Sequence, residues 1–115
     1  MIRGRIDEDG NALVEVTVSG IRGSVVFNGH LDTEFSGDVS LPCDIAVTLG
    51  LELVMEIEFE LADGSASRQL IFQGVADIGD GPRDVEILLS SSLDILVGRN
   101  WLRNRSLHAN YATGE

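Results

Sequence analysis

Cysteine is almost missing from this chain of 115 residues, and the single Cys43 excludes both an intrachain disulfide and a thiolate zinc cluster. Basic residues are scarce. Eight Lys and Arg stand against nineteen Asp and Glu, for a net charge of −11. That balance argues against nucleic acid as a partner, because phosphate binding needs clustered cations. It argues equally against an anionic membrane surface. No apolar run approaches the roughly 20 residues of a membrane span, and Met1 to Arg5 lacks the apolar core of a secretory signal. The expectation is a soluble protein of a reducing compartment, the cytoplasm, with no metal and no cofactor. There is no linker, internal repeat or low-complexity tract. What is present suits a folded chain, with 43% hydrophobic and 23% charged residues. A length of 115 residues predicts a single domain over 1–115.

Thirteen glycines punctuate short apolar segments, the pattern of an all-β domain. In Met55-Glu56-Ile57-Glu58-Phe59-Glu60-Leu61 every second residue is apolar and those between are acidic. Side chains alternate faces along a strand, so 55–61 reads as a strand with one buried and one wet face. Val14 to Val18 repeats the pattern. Gly20 to Gly23 follows as a turn and Ser24 to Leu31 as the next strand. Arg68 to Val75 is expected to pair with the 55–61 strand through a hairpin at Ala62-Asp63-Gly64-Ser65, since Asp-Gly tolerates positive φ. Gly79 to Pro82 makes another turn, between strands near 73–78 and 83–89. Two helices are expected, Pro42 to Leu49 and Gly98 to Arg105, and a last strand from Ser106 to Tyr111.

Two segments stand out chemically. Val26 to Gly37 runs from a strand into a polar turn and carries Asp32-Thr33-Glu34-Phe35-Ser36. A carboxylate at a strand end can be oriented there by backbone amides and hydroxyls, although Asp and Thr also initiate ordinary turns. Asp94 to Leu102 runs from a buried strand through Gly98-Arg99-Asn100 into a helix start, and Gly98 permits close backbone approach.

Together, Asp32-Thr33 and, some 60 residues later, Ile95-Leu96-Val97-Gly98-Arg99-Asn100-Trp101-Leu102 resemble the single-lobe aspartic proteases, the retropepsin-like group. Asp32 to Pro42, Met1-Ile2-Arg3-Gly4 and Leu61 to Ser65 resemble a bacterial and archaeal branch of it. The resemblance covers nearly the whole chain in order. It implies an all-β, closed retropepsin-like barrel with one or two short helices, assembling as a homodimer. It implies a peptide or protein substrate cleaved by water that is activated between Asp32 and its two-fold copy. Two carboxylates brought together share one proton, so one serves as base and the other polarises the scissile carbonyl. The resemblance makes Thr33, Glu34 and Ser36 support for the catalytic loop. Ala62, Asp63, Gly64 and Ser65 become a flap over substrate, Gly98, Arg99 and Asn100 support from the second motif, and the chain ends dimer contacts.

Two positions depart from the family pattern. Glu34 stands where the family has glycine, and Ser36 where the branch is often acidic. A partner for Arg99 is then sought at Glu34 or Asp38. The first departure keeps a second reading open, a protease-like fold that binds peptide without turnover. Among other candidates, His30 shares a strand face with Asp32 but is expected to be an ordinary half-buried residue. Cys43 is read as packing rather than as a nucleophile, and Trp101 as a core plug. Glu56, Glu58 and Glu60 are read as a solvated strand face, with a bias toward basic substrates through their field as the alternative, and Ser90 to Ser92 as a loop.

Overall fold

The valine comb at positions 14, 16 and 18 does what its period requires. Val16 and Val18 are fully buried, while Glu15 between them is exposed. The structure is a computed structural model describing residues 2–90, 94–103 and 106–115. In chain order the elements are β1 (Arg5–Ile6), β2 (Ala12–Gly20), β3 (Gly23–Asp32), β4 (Val39–Pro42), α1 (Cys43–Leu49), β5 (Glu52–Glu60), β6 (Ala66–Asp77), β7 (Arg83–Ser90) and β8 (Leu96–Gly98), followed by a 3₁₀ turn at Arg99–Leu102. The strands form one sheet in the order β1-β2-β3-β8-β4-β7-β6-β5. An additional antiparallel pairing of β2 with β6, Thr17 opposite Asp77, closes six strands into a ring. β1 and β5 lie outside that ring, each paired with one neighbour only.

The core fills the ring. Val16, Val18, Val39, Leu41, Leu49, Ile87, Val97 and Trp101 are all 2% exposed or less. Each such aliphatic side chain contributes roughly 1.5–3 kcal/mol on burial. Trp101 plugs one end and donates its indole N–H to the Asp38 carbonyl at 2.9 Å. α1 caps another part through Ala46 and Leu49, and its last carbonyls accept the Gly50 N–H. The turn joining β2 to β3 docks on that helix end, with the Arg22 N–H donating to the Leu49 carbonyl at 3.0 Å. No helix among the described residues is long and apolar enough to cross a membrane.

The structure corrects four expectations. β6 is one strand of 12 residues where two overlapping segments were read. The helix expected over 98–105 is only the 3₁₀ turn Arg99–Leu102, and 104–105 lie outside the described residues. Ser106 to Tyr111 forms no strand. Leu107 and Tyr111 are exposed, and Asn110 instead closes a terminal turn by accepting the Ala112 N–H on its side chain and the Gly114 N–H on its carbonyl. Finally, the apolar side of β5 is not buried. Met55 is 50% exposed, Ile57 40% and Leu61, which begins the turn, 44%. Outside the ring, β5 pairs with β6 along one edge, and Met55 and Ile57 stay exposed.

Candidate functional site

Asp32 is the last residue of β3. β3 and β8 run parallel in register, His30 opposite Leu96, Leu31 opposite Val97 and Asp32 opposite Gly98. The two sequence motifs, 60 residues apart, therefore end side by side. Beyond Asp32 the chain turns sharply. The Glu34 N–H donates to Asp32 Oδ1 at 3.0 Å and the Phe35 N–H to the Asp32 carbonyl at 3.2 Å, which orients the carboxylate from its own loop. The loop is tied to the second motif by the Arg99 N–H donating to the Phe35 carbonyl and the Gly98 N–H to the Asp38 carbonyl, both at 2.8 Å. Gly98 is required there because a Cβ would overlap the Gly37 carbonyl oxygen and stand 2.9 Å from the Phe35 ring.

Asp38 is the hub of this junction. Its carboxylate accepts the Asn100 side-chain amide and, at 3.1 Å, the Glu86 N–H from β7. The partner sought for Arg99 thus belongs to Asn100. Among the described residues no carboxylate lies within ion-pair reach of Arg99. Thr33, Glu34 and Ser36 are exposed on the loop, so the glutamate in place of glycine is accommodated with its side chain outward. Arg99 is exposed and Asn100 half-buried.

The register defines which face Asp32 occupies. Directly paired residues share a face, and His30 shares one with Asp32. A row therefore crosses the sheet through His30, Leu96, Ser40, Leu88, Ile71 and Met55. The exposed apolar side of β5, Met55 and Ile57, lies on the same sheet face as Asp32. Glu56, Glu58 and Glu60 lie on the opposite face, exposed, where Arg68 reaches Glu56 at 3.4 Å. The β5–β6 turn holds Ala62, Asp63, Gly64 and Ser65 at an exposed tip. Asp63 Oδ1 accepts the Ser65 hydroxyl at 2.6 Å and the Ser65 N–H at 2.9 Å, which holds the Asp63 carboxyl below its ordinary range. Gly64 takes φ +86°, the left-handed value this tight turn needs.

The remaining candidates are placed simply. His30 is 30% exposed, with Asp94 Oδ1 3.9 Å from its Nε2. Cys43 opens α1 and is exposed, so packing does not account for it. Ser90 ends β7, while Ser91 and Ser92 lie outside the described residues. No group of three metal-ligating side chains occurs among the described residues. Sequence reading missed Arg83 and Arg103. Arg83 lies 3.8 Å above the Trp101 ring, and Arg103 stands four residues beyond Arg99 at the end of the 3₁₀ turn. That spacing was the available signal.

No family model matches the chain, and no curated protein matches it in sequence. Among solved structures the chain is similar to the protease of Simian Foamy Virus (mac), determined in solution. The TM-score is 0.62 over 83% of this chain and 99% of that one, at 15% identity. The likeness is one of fold: this chain has the all-β retropepsin-like fold.

Proposed function

We propose that the chain is an aspartic endopeptidase that works as a homodimer, with Asp32 and its two-fold copy as the catalytic pair. The observation that carries this reading is the Asp32–Gly98 pairing, which joins both motifs on the sheet face that the β5–β6 hairpin also presents. Peptide would lie extended on that face, between the Asp32 loop and Met55 and Ile57. One carboxylate of the pair takes a proton from water as it attacks the scissile carbonyl, and the other, protonated, hydrogen-bonds the carbonyl oxygen. Thr33, Glu34 and Ser36 support the loop. Gly98, Arg99 and Asn100 anchor it from the second motif, and Ala62 to Ser65 close over substrate and exclude water.

The test is digestion of a peptide library between pH 4 and 7. Cleavage is expected, and Asp32→Asn abolishes it while leaving the fold intact by circular dichroism. A dimer that cleaves nothing across that range refutes the reading. Glu34 supports a second reading, a peptide-binding module without turnover. In the dimer it adds two further carboxylates beside the pair, and like charges there disfavour the ionised base. Activity appearing only in Glu34→Gly favours that second reading.

A further inference from the structure

We infer that the cleft beside the second motif binds the carboxylate of an acidic residue in the peptide, so that the chain prefers substrates with Asp or Glu flanking the cleavage point. This rests on reading Asp32 as the cleaving centre. The cleft is open, about 420 Å³, and lined by Ser36, Arg99, Asn100, Leu102 and Arg103. A second cleft of about 380 Å³ shares Asn100 and Arg103 and adds Arg83, Asp38 and Asp84. Three of the chain's eight cations thus gather around one asparagine.

Nineteen acidic residues were available to neutralise them. Yet among the described residues none of Arg83, Arg99 and Arg103 has a carboxylate within 4.0 Å. Asp38 is spent on Asn100 and the Glu86 N–H. Arg83 is pinned over Trp101, which is 1% exposed, so its charge cannot swing away without losing that contact. An arginine fork matches a carboxylate in geometry, and the Ser36 hydroxyl is a further donor on the same wall.

The cleft's place relates it to the reaction. Ser36 is four residues past Asp32, and Arg99 directly follows Gly98, the residue paired with Asp32. An extended peptide advances about 3.3 Å per residue. A residue short of or beyond the scissile bond, rather than at it, would therefore reach the cleft. Two-fold symmetry supplies a cleft on each side, so the preference appears at matched positions on both. The net charge of −11 sharpens this. An acid at any other position meets repulsion, so only the right register gains.

The experiment is calorimetric titration of the full-length Asp32→Asn dimer with ten-residue peptides, each carrying one Asp, or its Asn counterpart, at successive positions. Asp is expected to bind roughly fivefold tighter than Asn at one position on each side of the centre, the scale of a well-formed exposed ion pair. Adding Arg103→Gln, or Arg99→Gln with it, is expected to remove that difference. Equal binding of Asp and Asn peptides everywhere, or no binding, overturns the inference. So does a preference that survives both substitutions, or sedimentation showing that they dissolve the dimer. Failure of the native chain to cleave counts against the protease reading alone, since this titration needs no turnover.

Discussion

Asp38→Ala is the most direct probe of how the two motifs are held together. The substitution leaves the backbone carbonyl of residue 38, which receives the Gly98 N–H at 2.8 Å and the Trp101 indole at 2.9 Å. It removes only the carboxylate, which receives the Asn100 amide and the Glu86 N–H. The bond to Asn100 is partly buried and charge-assisted, while that to Glu86 is exposed and weaker. Together they are worth about 2 kcal/mol. For a domain of this size that corresponds to a fall in melting temperature of about 8 °C. Asp38→Asn keeps the shape but presents an amide where two donors converge, so it recovers about half the loss. Urea unfolding followed by Trp101 fluorescence measures both variants. The Asn100→Ala cycle isolates the shared bond, with an expected coupling of about 1 kcal/mol. A loss below about 0.5 kcal/mol for Asp38→Ala, within the range of an ordinary surface change, would refute the hub.

Two further outcomes test the hairpin. The Asp63 carboxyl is lowered chiefly by the Ser65 hydroxyl and next by the Ser65 N–H. A lowered folded value means that the turn's contribution is present above the ordinary 3.8 and is lost as pH falls through the depressed value. Ser65→Ala should move the Asp63 titration, read by carboxyl-carbon NMR, upward toward 3.8, and no movement would reject the assignment. Replacing Met55 and Ile57 together by Lys should change urea stability of the dissociated chain by less than about 0.5 kcal/mol per site, since both are 40% exposed or more. The same double variant should lower kcat/KM for peptide cleavage at least tenfold, and unchanged kinetics would detach that face from substrate.

Local periodicity made the sheet legible. Val14, Val16 and Val18 alternate as a strand must, and Asp63-Gly64 marks its turn without help from distant residues. The site was legible only as far as the motifs reach. Asp32 and Gly98 could be named through the resemblance their motifs carry, but no local pattern reveals that Asn100 rather than Arg99 takes Asp38. That choice depends on Phe35 accepting the Arg99 N–H, and on β7 bringing the Glu86 N–H to the other carboxylate oxygen. Arg83 is 18 residues from Trp101 in the chain, and nothing in its neighbours foretells a ring beneath it.

Two of the errors in strand reading have a common physical form. Alternation in 55–61 was read as burial, yet the apolar side of β5 stands open. Residues 106–111 were read as a strand, yet they join no strand pairing among the described residues. In each case the sequence carries a demand, an apolar face or an extended segment, that one copy leaves unmet. A strand needs another edge to satisfy its amides, and an apolar face needs a cover before its burial stabilises anything. In the proposed dimer, a second copy with peptide between the hairpins would meet both demands at once. On that proposal, patterns that serve an assembly and its substrate are misread when every contact is sought inside one chain, and the residues misread are the ones where the assembly should be sought.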